Sequence, residues 1–217
     1  MKFLRLPLPV SADEGVLLMV FRCEVRPVIK DADKWSMLLF GRAGPRARRL
    51  SRLRGSRLAQ SLSAEALCME LTGELLPGRA VNLEEDSSGK PYLPGCPLSV
   101  SLSHSGGYVA AAVAETRVGI DLQALRGISD RVLRRFYSQE EQSWIRAGDR
   151  TRRAIRLWTM KEAYAKLRGD GIFGGAQFCA LFAGDRPETE YEDVRFLFPD
   201  APDGLLFTVC LERQAES

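Results

Sequence analysis

Histidine is almost missing from this sequence: His104 is the only one in 217 residues. A single imidazole excludes a histidine-rich zinc centre. The five cysteines (Cys23, Cys68, Cys96, Cys179, Cys210) are scattered, odd in number and without Cys-x-x-Cys spacing, so they cannot replace it. The same scatter excludes a disulfide framework and fits free thiols in a reducing cytoplasm. Long hydrophobic runs are missing as well. The longest, Tyr108 to Ala114, is far too short to span a bilayer, so no membrane association is expected. Met1 to Val10 holds no sustained apolar stretch before Asp13 and Glu14, so no signal peptide is expected. A Gly-x-Ser-x-Gly elbow is also absent, and His104 lies directly beside Ser103, which excludes a conventional serine-hydrolase triad.

Arginine is plentiful. Arg42, Arg46, Arg48, Arg49, Arg52, Arg54 and Arg57 fall within sixteen residues with no acid among them, against a whole-chain net charge of only +3. Three readings fit: a solvated helix face, a nucleic-acid surface, or a site that captures an anionic cofactor. The stretch between Phe40 and Tyr92 has no aromatic residue, so the stacking partners that accompany nucleic-acid binding are lacking there. At 45% hydrophobic residues the chain can bury one large core or two small ones. A boundary near Val100–Ser105 divides it almost evenly, into 1–102 and 103–217.

Periodicity gives a coarse map. Val16–Val25 reads as a strand, and Arg46–Arg57 and Ala59–Thr72 as helices. Tyr108–Ala114 and Val118–Gln123 read as a hairpin across Glu115-Thr116-Arg117. Ser138–Ala147 and Thr151–Leu167 read as helices, and residues 176–182 and 205–211 as late strands. Gly169 stops the long helix. Gly169-Asp170-Gly171-Ile172-Phe173-Gly174 matches Gly-x-Gly-x-x-Gly, but a helix precedes it where a dinucleotide site needs a strand, so it is no Rossmann fingerprint.

Three segments carry chemistry. In Trp158-Thr159-Met160-Lys161-Glu162-Ala163-Tyr164-Ala165-Lys166 the helical period puts Trp158, Glu162 and Ala165 on one stripe, extended by Lys166. A carboxylate on a core-facing stripe needs a partner; an ion pair with Lys166 serves, and so does a metal ion. In Val118-Gly119-Ile120-Asp121-Leu122-Gln123 the alternation puts Asp121 and Gln123 on one face, about 6–7 Å apart. Two oxygen donors beside a glycine suit a hard cation such as Mg²⁺, or simply a solvated strand edge. In Ser101-Leu102-Ser103-His104-Ser105-Gly106-Gly107, hydroxyls, an imidazole and flexible backbone can hold a phosphate, or form a plain turn. Upstream, Lys90 sits in the turn Ser88-Gly89-Lys90-Pro91, a second phosphate contact or a solvated turn.

In this order, Gly89-Lys90-Pro91, Ser103-His104-Ser105, Gly119-Ile120-Asp121-Leu122-Gln123, Phe136-Tyr137-Ser138-Gln139-Glu140-Glu141 and Trp158 through Lys166 resemble the 4′-phosphopantetheinyl transferases of the surfactin-synthetase-activating (Sfp) type. The resemblance covers roughly residues 46–180. It implies an α/β (α+β) fold of two similar halves packed as an intramolecular pseudo-dimer. The first half would meet the CoA 3′-phosphate and the second would carry the metal and catalytic motifs. It also implies a monomeric enzyme, a holo-carrier-protein synthase. The reaction would be Mg²⁺-dependent transfer of the 4′-phosphopantetheine arm of coenzyme A to a serine of an acidic acyl or peptidyl carrier protein, with release of 3′,5′-ADP. By the same resemblance, Asp121, Gln123 and Glu162 are the metal ligands. Arg46, Arg49, Lys90, Ser103, His104 and Lys166 are the CoA contacts, and Asp121, Glu162 and Lys166 are the catalytic set. Glu162 or a metal-bound water takes the serine proton. Gln123 departs from the family's usual Glu and leaves Asp121 and Glu162 as the anions of the site. Glu141 has two expectations, a Ser-x-x-Glu capping box with Ser138 or a place in the site. A non-catalytic relative that binds CoA or a carrier protein, and a basic nucleic-acid-binding protein, are the rival readings.

Overall fold

The structure, a computed structural model, describes residues 21–28, 44–79, 81–169 and 178–213. It mixes helices with antiparallel sheets, the α+β class, and divides into two compact units, Met1–Val118 and Gly119–Ser217. The division between these units falls at 118/119, sixteen residues beyond the expected 102/103. The expected position falls inside the strand Ser99–Ser105, whose whole length is hydrogen-bonded to its neighbour.

In the first unit, β1 (Phe21–Pro27), β4 (Ser99–Ser105) and β5 (Tyr108–Ala114) form an antiparallel sheet in the order β1-β5-β4. Gly106 and Gly107, with φ of 57° and 80°, join β4 to β5 in a two-residue turn that only positive-φ residues make easily. That turn corrects the expected hairpin across 115–117: β5 pairs with β4 and β1, whereas β6 (Val118–Ala124) lies in the other unit's sheet. Helix α1 (Pro45–Ser51) is followed by α2 (Gly55–Leu75). The single helix expected over Arg46–Arg57 is interrupted, because Arg54 is extended and Gly55 has a φ of 52°. The apolar face of α2, with Ala64, Leu67, Cys68 and Leu71, closes a core with Val100, Val109, Ala111 and Val113 of the sheet. Two short strands, β2 (Glu84–Glu85) and β3 (Pro91–Tyr92), pair across the turn that carries Lys90.

The second unit holds β6, three helices and a late set of strands. The helices are α3 (Asp130–Phe136), α4 (Gln139–Arg146) and α5 (Arg150–Arg168). β7 (Phe182–Ala183) and β8 (Arg186–Pro187) make a small ribbon; of the strand expected over 176–182, residues 178–181 are not strand and 176–177 lie outside the described residues. β9 (Glu190–Tyr191), β10 (Val194–Leu197) and β11 (Leu205–Glu212) join β6 in the order β6-β11-β10-β9. α5 seats its apolar face, Leu157, Met160, Ala163, Tyr164 and Leu167, in a core with Leu133, Ile145, Val194, Phe196 and Cys210. It starts at Asp149, whose side chain accepts from Arg152 N at 3.0 Å, and stops at Gly169 in the left-handed conformation. The glycine-rich stretch 170–174, residues 16–20 of the expected first strand, and Arg42 lie outside the described residues. Among the described cysteines, Cys68, Cys96, Cys179 and Cys210 are free thiols, and no described helix is long and apolar enough to cross a membrane.

Candidate active site

Asp121 and Lys166 are forty-five residues apart in sequence and 2.8 Å apart in space. β6 supplies the carboxylate and the last turn of α5 supplies the ammonium. Lys166 Nζ donates to Asp121 Oδ1 at 2.8 Å and to Ile120 O at 2.9 Å. The strand and the helix meet because position 119 is glycine. A methyl group there would lie 2.0 Å from Ala163 O and 2.5 Å from Leu167 N. The group that approaches this glycine closely is therefore the backbone of α5. The half-buried strand expected from alternation is corrected: Val118 through Leu122 are all buried, since the polar face lies under the helix.

Glu162 stands one turn before Lys166 on α5 and is half-buried. Its carboxyl is raised above its ordinary value, first by burial and then by the negative charge of Asp121, with Lys166 pulling the other way. The Glu162 carboxyl, with Asp121 acting on it and Gln123 two residues along the same strand as Asp121, makes an oxygen-rich donor set. This set fits a hard divalent cation, which would relieve the repulsion. The sequence left open whether Glu162 is satisfied by Lys166 or by a metal ion; Lys166 reaches across to Asp121 on the strand. Trp158, the aromatic of the same stripe, packs edge-on against Phe136 at 5.4 Å.

Glu141 is completely buried, and its two oxygens are committed to structure. Oε2 accepts from Ser138 N at 2.8 Å, and Ser138 Oγ accepts from Glu141 N at 3.1 Å, the reciprocal capping box. Oε1 accepts from Ala180 N at 2.9 Å and from Lys161 Nζ at 2.8 Å. Lys161, the motif residue before Glu162, escaped the sequence reading. Its signal was present: a lysine at an apolar-stripe position of an otherwise packed helix. Arg156 was missed too. It donates to Phe207 O at 2.8 Å and to Thr208 Oγ1 at 2.9 Å, and its guanidinium lies 4.4 Å from the Phe198 ring centroid. It ties α5 to β11 through neutral partners, and burial lowers its pKa to about 10.

The first unit carries the other expected residues. Arg46 is buried; its Nε donates to Glu65 at 2.8 Å and its Nη1 to Glu85 at 2.6 Å. Arg49 is exposed and donates to the same Glu85 oxygen at 2.7 Å. The arginine run is thus part structural. Arg46 is a buried strut, whereas Arg49 keeps most of its side chain in solvent, with 59% of it exposed. Lys90 is half-buried beside a tight turn organised by Asp86, whose Oδ1 accepts from Ser88 N, Ser88 Oγ and Lys90 N. Ser103 and His104 are neighbours on β4, so they face opposite sides of its sheet: Ser103 is buried and His104 exposed. Among the described residues, no group of three or more His, Cys, Asp or Glu side chains gathers as a metal cluster.

Residues 117–202 match the family model of the 4′-phosphopantetheinyl transferase superfamily. A 4′-phosphopantetheinyl transferase, psf-1, of Bacillus pumilus is 33% identical over 137 residues, 60% of this chain and 59% of the relative. The 4′-phosphopantetheinyl transferase Sfp of Bacillus subtilis (strain 168) is 35% identical over 88 residues, 39% of each chain. The 4′-phosphopantetheinyl transferase HetI of Nostoc sp. is 41% identical over 106 residues, 44% of each. The matched part is therefore between 39% and 59% of the length of these three relatives. Through residues 117–202, which hold Asp121, Glu162 and Lys166, the chain is similar to the 4′-phosphopantetheinyl transferase superfamily and to relatives of the Sfp type.

Proposed function

We propose that this protein transfers the 4′-phosphopantetheine arm of coenzyme A to a serine of an acidic carrier protein of acyl or peptidyl type. The observation that carries the reading is the junction of its two most specific motifs. Lys166, the last residue of the helical motif, bonds Asp121 of the strand motif, with the raised carboxyl of Glu162 beside them. In this reading the serine oxygen forms a bond to the β-phosphorus as the bridging P–O bond breaks, and 3′,5′-ADP carries that oxygen away. Asp121 and Glu162, with Gln123 as a neutral oxygen, would hold Mg²⁺, which supplies charge neutralisation at the pyrophosphate. Lys166 is oriented by Asp121 and Ile120 O, and its positive charge would offset charge on a phosphate oxygen. Glu162 has a carboxyl shifted toward neutrality and is the residue of this chain suited to take the serine proton. Arg49, Lys90 and His104 are the first unit's candidates for the CoA phosphates. Arg46 holds Arg49's partner Glu85 in place. The protein acts as a soluble monomer in the cytoplasm.

The nucleic-acid reading loses support, because Arg46 and Arg49 both spend charge on Glu85. The test is incubation with CoA, Mg²⁺ and a panel of apo carrier proteins, read by intact mass. A mass gain of one phosphopantetheine arm is expected. It should be lost on chelation and in Asp121→Ala. No gain on any carrier, or full gain with Asp121→Ala, would sink the reading.

A further inference from the structure

Lys161 and Glu141 form an enclosed ion pair: Glu141 is fully buried and the Lys161 side chain is 10% exposed. Lys161 Nζ lies 2.8 Å from Glu141 Oε1 and donates to Phe178 O at 2.6 Å. The rings of Tyr137 and Phe178 flank it, with centroids 5.8 Å and 5.7 Å away. Tyr137 is itself fixed, its hydroxyl donating to Ala154 O at 3.0 Å. Glu141 also takes Ala180 N at 2.9 Å and closes the capping box of α4. One ammonium thus binds three separate parts of the second unit: the N-terminus of α4, the body of α5, and the chain at Phe178–Ala180.

Stability alone is a poor reason for such a pair. Desolvating two charges costs about as much as their attraction returns, and well-packed apolar replacements are often neutral or better. What an apolar pair cannot supply is direction. Lys161 precedes Glu162 on α5, about 100° round the helix from it. Held from four sides, Lys161 fixes the rotation of α5 about its own axis. That rotation sets where Glu162 and Lys166 meet Asp121.

We propose that the Glu141–Lys161 pair is a positioning device for the carboxylate site: it sets the aim of Glu162 and Lys166 without touching substrate. This rests on the transferase reading above. Residues that orient metal ligands from behind typically change metal affinity or activity 10- to 100-fold.

The test is the double variant Glu141→Gln/Lys161→Met. Gln at this position can still close the capping box, and Met fills the lysine's path with an unbranched apolar chain. Three quantities are measured beside wild type: thermal unfolding, Mn²⁺ affinity in the presence of CoA by loss of the free-ion EPR signal, and transfer kinetics. The expected result is cooperative unfolding with Tm within about 5 °C of wild type. Mn²⁺ affinity and kcat should both fall at least about tenfold, and the KM for CoA should change little. Wild-type Mn²⁺ affinity in a folded double variant would overturn the proposal, and so would loss of cooperative unfolding, which would make the pair a stability element. A wild-type protein that transfers nothing would overturn the transferase reading instead, and the Mn²⁺ comparison would still decide the positioning role.

Discussion

Gly119 on β6 and Ala163 on α5 stand closer than any side chain allows: a Cβ on Gly119 would fall 2.0 Å from Ala163 O. The obstacle is backbone on both sides, at Ala163 O and Leu167 N, so no rotamer change relieves it. Gly119→Ala is expected to destabilise the second unit by more than about 2 kcal/mol, toward the upper end of overpacking costs. It should also separate Lys166 from Asp121. A denaturation midpoint equal to that of wild type would show that the helix can shift freely.

Glu162 gives a pH prediction whose sign runs against the usual carboxylate. Its folded-state pKa lies above the unfolded one, so the fold favours the protonated form. Its contribution to stability is fully present below the ordinary glutamate range. That contribution is lost as pH rises from the unfolded value through the raised one. Glu162→Gln cannot ionise and keeps it. In metal-free buffer at pH 7 this variant should be more stable than wild type, by roughly 0.5–1 kcal/mol, and the gap should close near pH 4. Urea midpoints at the two pH values check this; a variant less stable than wild type at pH 7 would remove the repulsion argument.

Arg46 and Arg49 should part company. Arg46→Ala leaves the buried carboxylates Glu65 and Glu85 without their shared cation and is expected to cost about 3–5 kcal/mol of stability. Arg49→Ala should cost less than about 1 kcal/mol. It should raise the KM for CoA more than the KM for 3′-dephospho-CoA, since a contact to the 3′-phosphate vanishes with that phosphate. Equal effects on both substrates would place Arg49 elsewhere, for instance against the carrier protein.

Replacing the lone histidine distinguishes two roles. If His104 contacts a CoA phosphate, His104→Ala weakens CoA binding by roughly 1–3 kcal/mol, the range for a charged hydrogen bond. Substantial kcat should remain at saturating CoA. Calorimetric titration of CoA beside steady-state kinetics checks this. Unchanged affinity with a collapsed kcat would make His104 the base instead.

Gln123→Glu adds a formal charge to the pair of carboxylates. Apparent Mg²⁺ binding should tighten, and the fold should lose a little stability in the absence of metal. A Mg²⁺ titration that does not move would place residue 123 away from the ion.

The elements that were legible in the sequence are those whose signal is local. Period and caps located α5 and α4, down to the Ser138–Glu141 box and the left-handed Gly169. Asp121, Glu162 and Lys166 were singled out by the motifs that carry the family resemblance, and the structure sets Lys166 against Asp121. Partners were not. The strand Tyr108–Ala114 reads identically whether it pairs forward with β6 or back with β4. Only the two positive-φ glycines at 106 and 107 discriminate, and their segment reads equally as a phosphate loop or as a plain turn. Arg46 and Arg49 read as two equal members of a basic run. Their difference comes from Glu65 and Glu85, nineteen and thirty-nine residues from Arg46. The pairing of Glu141 with Lys161 stayed hidden for the same reason: a buried ion pair needs both ends, and neither end names its partner.

The contacts along α5 bear on where this protein tolerates a change in length. From Trp158 to Lys166 the helix answers to α3 through Phe136, to Glu141 and Phe178 through Lys161, and to β6 through Lys166. Each neighbour reads a different side of the helix. Inserting or deleting one residue there would turn everything beyond it by about 100°; a deletion ahead of Lys161 would put the acid Glu162 where the cage holds a base. Within 158–166, then, homologous chains can exchange side chains but cannot gain or lose residues, and any drift in length must fall in the turns on either side.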